Sequence, residues 1–277
     1  MKLAIFDGGR LGVVDGAALV DVSAAVPGWD AGYAANWWLR LCESWPSLRP
    51  ELERAAAAGP TSPVTEAELE PAVLHPGKIV AAAANYADHV SEMTGRAGVE
   101  GWQLDFDIFL KAPSSVIGPG ARLRLPAVEG EVHHECELAV VIGREGYAIP
   151  EQAAMDHVLG YTIALDMTLR GSGDRSRRKS YDGFTPIGPW LVLADEIADP
   201  HGLRIQLEVN GRVQQDVETS AMQRRVPAII AHISSIMTLH PGDVICTGAP
   251  AGVGRVRPGD HLRARISGIG EMELWIA

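Results

Sequence analysis

The acidic residues that could do chemistry stand at the ends of apolar runs. In His133-His134-Glu135-Cys136-Glu137, which leads into Leu138-Ala139-Val140-Val141-Ile142-Gly143, a strand would place Glu135 and Glu137 on one face. Two carboxylates so close repel each other, and share a proton unless a cation lies between them. Oxygen-only donors select a hard ion such as Mg²⁺, Mn²⁺ or Ca²⁺. Asp166 ends a second run, Gly160-Tyr161-Thr162-Ile163-Ala164-Leu165, where an unpartnered acid would be costly to bury, so it could complete a three-carboxylate site. Solvated acids at two strand ends fit the same residues. Asn85-Tyr86-Ala87-Asp88-His89-Val90-Ser91-Glu92 reads as a helix start with Asn85 as its cap. His89 and Glu92 are then neighbours on one helix face, able to fix a histidine tautomer or present a base to water; a surface helix pair has the same pattern. Lys179 lies in Arg175-Ser176-Arg177-Arg178-Lys179-Ser180-Tyr181-Asp182, which is either a solvated basic loop or a receiver of an anion. Gly252-Val253-Gly254-Arg255-Val256-Arg257 superficially resembles a dinucleotide loop. It lacks the third glycine and precedes Pro258, so it offers a pyrophosphate no helix N-terminus.

Short apolar runs broken by Gly and Pro must position these residues. Strands are predicted at Lys2 to Phe6, Leu11 to Val14 and Ala18 to Val22, with hairpin turns at Asp7-Gly8-Gly9 and Asp15-Gly16. Further strands are predicted at Ile79 to Ala82, Ile108 to Leu110, Leu138 to Ile142, Tyr161 to Leu165, Trp190 to Leu193, Ile205 to Val209 and Val244 to Cys246. One helix is expected where Val226, Ile229, Ile230, Ile233 and Ile236 recur at three-to-four spacing. Trp37 to Leu41 and Leu52 to Ala58 also read as helical, separated by breaks at Pro46 and Pro50, and Gly59 to Thr65 reads as a linker. A boundary there divides the chain into a small N-terminal α+β domain, residues 1–72, and a larger domain, residues 73–277. Regular βαβ alternation is missing, so the expected class is mixed α/β and β-rich rather than doubly wound.

Composition narrows the function classes. The 277 residues carry 24 Lys+Arg against 35 Asp+Glu, a net charge of −11, which argues against partners that are bound by neutralising phosphate, nucleic acid and membrane surfaces alike. With 47% hydrophobic and 21% charged residues, the chain can bury a full core. Its 30 Gly and 18 Pro imply many turns. Cys42, Cys136 and Cys246 form neither a disulfide framework nor a zinc cluster, and no run is long enough for a signal peptide or a membrane span. A soluble protein of the reducing cytoplasm is expected.

The order of motifs resembles the fumarylacetoacetate hydrolase family. The resemblance is carried by Asn85-Tyr86-Ala87-Asp88-His89, Phe109-Leu110-Lys111-Ala112-Pro113-Ser114-Ser115, Glu135-Cys136-Glu137 with its following strand, Gly160-Tyr161 and Asp166. Lys179-Ser180-Tyr181-Asp182, Gly188-Pro189-Trp190-Leu191 and Pro241-Gly242-Asp243-Val244-Ile245 continue it, in order, from about Lys78 to Gly254. It implies a β-sandwich or roll catalytic domain behind a small N-terminal domain, usually as a homodimer. It also implies Mg²⁺, or else Mn²⁺ or Ca²⁺, on Glu135, Glu137 and Asp166. His89 and Glu92 would be the water-activating dyad, and Lys179 would steady a developing oxyanion. Tyr86, Lys111, Arg170, Lys179 and Ala249 would face a small 2-oxo acid substrate.

The implied reaction is hydrolysis of the C–C bond of an acylpyruvate-type 1,3-diketo acid, with a metal-bound enolate as leaving group. Decarboxylation, isomerisation or hydration of an unsaturated 2-oxo acid could use the same enolate, and a non-catalytic binding protein could keep the fold. Two departures stand out. Many members carry Gln where this chain has Gly173, and a Gly-Thr-Pro where it has Gly248-Ala249-Pro250, so two polar substrate contacts are missing.

Overall fold

The strand Cys136–Ile142 is apolar beyond Glu137 and is buried on both faces. Its period of two sends Leu138, Val140 and Ile142 into one apolar cluster and Ala139 and Val141 into another. The computed structural model describes residues 1–29, 34–94 and 106–277. In it this strand lies near the middle of an 11-stranded sheet. The order across the sheet is Thr61–Pro63, Ala18–Asp21, Arg10–Asp15, Lys2–Phe6, Thr185–Leu193, Val158–Leu165, Cys136–Ile142, Val244–Cys246, Ile79–Ala83 and Asp107–Lys111, with Val116–Ile117 pairing beside Thr185–Leu193.

Against one face pack a five-stranded sheet and the helix Val226–Ile236, bringing Ile205, Leu207, Leu262, Ala264 and Leu274 together with Ile229, Ile230 and Ile233. The other face is covered from the N-terminal segment, where Trp37, Trp38, Leu41, Leu48 and Leu52 are all buried. The architecture is therefore the expected mixed, β-rich one. The predicted strands and the Val226–Ile236 helix are present.

The N-terminal segment corrects two expectations. Pro50 does not break a helix: Trp45–Ala58 runs through it, with Pro46 in the first turn where no N–H is needed and with Leu48 and Leu52 buried to hold the helix down. Gly59 to Thr65 is not a linker. Thr61–Pro63 pairs with Ala18–Asp21 as the edge of the large sheet, a place where a proline costs no ladder bond. Lys2–Phe6 joins the same sheet through Thr185–Leu193, so the segments proposed as 1–72 and 73–277 meet edge to edge there.

Candidate metal centre and active site

The register of Cys136–Ile142 against Val158–Leu165 places Glu137 opposite Ala164 and brings Asp166 in beside it, just past the strand end. Glu135 sits between the short strand Val132–His134 and Cys136–Ile142, and its carbonyl accepts the Asp166 N–H at 2.8 Å. Glu135, Glu137 and Asp166 each turn an oxygen to a common point, all within 4.8 Å of one another, and all three are buried. The sequence pattern of two acids in alternation and a third at a strand end is thus one site.

Three buried or half-buried cations meet these acids. Lys179 Nζ donates to Glu135 Oε2 at 2.7 Å and to Asp166 Oδ2. Lys111 Nζ, fully buried, donates to Asp166 Oδ1 and to the Phe184 carbonyl. Arg170 Nη2 donates to Glu135 Oε1 at 2.7 Å. Glu137 has a main-chain donor instead, the Gly248 N–H at 2.7 Å. Burial alone would raise Glu135, but Lys179, then Arg170 and His89, outweigh it and hold this carboxyl well below the usual range. Glu137 goes the other way. Burial and then the Asp166 charge push it well above the usual carboxylate range, against Lys179. For Lys179, burial lowers the ammonium, yet Asp166 and Glu135 more than compensate and keep it charged.

A divalent cation fits this donor set. The donors are carboxylate oxygens only, they already converge, and among the described residues Glu137 is the acid of the three with no direct ion pair to a basic side chain.

The helix Ala87–Thr94 carries the dyad. His89 Nδ1 lies 3.3 Å from Glu92 Oε2, which also accepts the Gly252 N–H at 3.2 Å. The dinucleotide-like loop therefore holds a carboxylate.

Residues 78–276 match the family described as Fumarylacetoacetate (FAA) hydrolase C-terminal. The chain belongs to the fumarylacetoacetate hydrolase family. It is 38% identical over 286 aligned residues to a maleylpyruvate hydrolase of Aquipseudomonas alcaligenes, covering 100% of this chain and 99% of the relative. Maleylpyruvate hydrolase of Sphingobium sp. SYK-6, solved with manganese(II) and pyruvate, superposes with a TM-score of 0.89 at 39% identity, covering 100% of this chain and 99% of that one. A mitochondrial oxaloacetate tautomerase of Rattus norvegicus is 41% identical over 203 residues, 70% of this chain and 89% of its own.

Within this family member, the structure joins Glu135, Glu137, Asp166, Lys179, Lys111 and Arg170 by direct contact or convergence. His89 lies within electrostatic reach of Glu135, and Tyr86, whose buried hydroxyl has no hydrogen-bond partner among the described residues, lies in the field of Glu137. Ala249 is buried, next in the chain to Gly248. Much of the basic run is structural. Arg178 donates to the Gly173 and Leu169 carbonyls, and Arg175 pairs with Asp107. Asn85 is no cap: its side chain bonds Arg224 and Thr247. The Gly248 and Gly252 amides were not foreseen, because a main-chain N–H carries no residue-type signal; their positive φ, 98° and 93°, is the trace they leave.

Proposed function

We propose that this enzyme is a divalent-metal-dependent hydrolase of acylpyruvates, and that its substrate is maleylpyruvate or a closely similar unsaturated diketo acid. The observation that carries the reading is the charge count at the site: three converging carboxylates against Lys111, Lys179 and Arg170. With Glu137 ionised, as it would be beside a bound cation, that count is neutral, and a divalent ion leaves two positive charges, which matches the carboxylate and enolate of a pyruvate leaving group. Full-length similarity to two maleylpyruvate hydrolases supports the substrate class.

Glu135, Glu137 and Asp166 would hold the ion. When bound it supplies Lewis acidity, drawing electron density from the 2-oxo acid oxygens. Glu92 fixes the His89 ring: with Nδ1–H donated to Oε2, the lone pair of Nε2 is left to take a proton from water. The resulting hydroxide adds to the acyl carbonyl, the C–C bond breaks toward the pyruvate side, and the proton held by His89 returns to the departing carbon. Lys179 is placed to steady negative charge as it develops. Arg170 Nε and the Tyr86 hydroxyl are buried and have no hydrogen-bond partner among the described residues, so they are donors available to an anionic substrate. Mg²⁺ or Mn²⁺ both suit the oxygen donors.

A second reading, tautomerisation or isomerisation of a 2-oxo acid, is favoured by Gly173 and Ala249, which give the acyl carbonyl no side-chain donor. Relatives include an oxaloacetate tautomerase. The test is to incubate the metal-loaded protein with maleylpyruvate and identify the products. Pyruvate and maleate, lost with EDTA, support hydrolysis; a product of unchanged mass supports the second reading. The three cysteines are buried and free, and no described helix is long and apolar enough to cross a membrane. A cytoplasmic homodimer is our proposal for its state, to be checked by sedimentation.

A further inference from the structure

Asn85 precedes the helix Ala87–Thr94 but serves another segment. It is 1% exposed, and its side chain makes three hydrogen bonds: Nδ2 donates to the Thr247 carbonyl at 2.8 Å and to the Arg224 carbonyl at 3.0 Å, while Oδ1 accepts the Arg224 N–H at 2.7 Å. Two carbonyls facing one side and an N–H facing the other settle the amide orientation. Its own carbonyl accepts the Gln223 N–H at 2.8 Å.

The Thr247 carbonyl and the Gly248 N–H belong to one peptide unit. In a trans peptide these groups point in opposite directions, so the donor that holds the carbonyl also aims the N–H. That N–H meets Glu137 Oε2 at 2.7 Å. The neighbourhood is constrained for this arrangement. Ala84, immediately before Asn85, has φ +58°, an uncommon conformation for a residue with a Cβ. Gly248 has φ +98°, and a Cβ there would come within 2.8 Å of the Asn85 Cβ.

We propose that Asn85 is a positioning residue for the metal centre, acting on Glu137 through the Thr247–Gly248 peptide. The proposal rests on the triad being a metal site. Thr247 stays anchored to the Leu138 carbonyl through its N–H and hydroxyl, but without the Asn85 donor its own carbonyl loses its partner, the peptide plane can tilt, and the Gly248 N–H is no longer aimed at Glu137. Partners one step behind a metal ligand set its orientation, and losing them typically weakens metal affinity about 10–100-fold.

The test is Asn85→Asp in the full chain, stripped of metal and titrated with Mn²⁺ alone by calorimetry. Asp has the same shape and can still accept from Arg224 N–H, but turns an oxygen toward the Thr247 carbonyl. Simple electrostatics makes the added negative charge tighten Mn²⁺ binding; positioning makes it weaken, by about tenfold or more. Paramagnetic resonance of Mn²⁺ then follows the same substitution in two backgrounds. The loss disappears in Glu137→Ala and persists in Glu135→Ala, whereas a general disturbance of the fold weakens binding in both. If Asn85→Asp does not fold, as judged by thermal melting in EDTA, Asn85→Ala is measured in the same scheme. Equal or tighter binding by the variant, or a loss that survives in Glu137→Ala, overturns the role of Asn85. Wild-type protein that takes up no Mn²⁺ overturns instead the metal reading.

Discussion

Lys179 is the residue whose removal should separate metal binding from turnover. Its buried ammonium touches Glu135 at 2.7 Å and also bonds Asp166, and after burial it is the largest influence on Glu135. Lys179→Met keeps most of the side-chain volume and deletes one positive charge, leaving three carboxylates against Lys111 and Arg170. Unit charges about 4 Å apart interact by about 4 kcal/mol at an effective dielectric of about 20. A divalent ion on the same carboxylates is relieved of a repulsion of that order, and even a third of it is a factor of about ten in affinity. Mn²⁺ should therefore bind the metal-stripped variant at least about tenfold more tightly than wild type. Turnover should move the other way, because one donor to a developing oxyanion is worth about 10²–10³ in kcat. Calorimetric titration reads the first effect, and loss of acylpyruvate enol absorbance at saturating Mn²⁺ reads the second. A variant that binds Mn²⁺ more weakly, or keeps the wild-type kcat, refutes the reasoning.

Three further outcomes follow from particular contacts. Glu92→Gln, which removes the charge facing His89 Nδ1, should lower kcat by about 10²–10⁴ with Mn²⁺ affinity unchanged in the calorimeter. Gly160→Ala places a Cβ 2.3 Å from the Val192 carbonyl oxygen in the central sheet; overpacking of about 1–3 kcal/mol should lower the melting temperature by about 2–4 °C per kcal/mol. His201, lowered by burial, accepts the Val226 N–H at its Nε2 and must be neutral to do so. Its contribution is complete above an unfolded pKa of about 6.5 and is lost as pH falls through the folded value, so melting curves between roughly pH 7.5 and 5.5 should show less acid destabilisation in His201→Gln than in wild type.

The strands around the site were legible because burial on two faces writes apolar runs of strand length, bounded by Gly and Pro, as in Leu138 to Ile142 and Tyr161 to Leu165. The acids were legible for a related reason: Glu135, Glu137 and Asp166 interrupt those runs where a charge needs a partner. Other features answer to tertiary context. Pro50 looks like a break, yet the burial of Leu48 and Leu52 holds its helix together. Asn85 has the residue type and position of a cap, but its partners, Arg224 and Thr247, are remote in sequence. The pairing of Lys111 and Lys179 on one aspartate joins a strand end to a loop, and no local pattern announces it.

The central claim is that water attacks the acyl carbonyl of a 2-oxo acid at a divalent-metal centre. Turnover of maleylpyruvate in heavy-oxygen water, followed by mass spectrometry with and without EDTA, tests it most directly. The account predicts pyruvate and maleate in equal amounts, a single solvent oxygen in the maleate, and no reaction after chelation. Substrate returned at unchanged mass, release of CO₂, or full turnover in EDTA would contradict it.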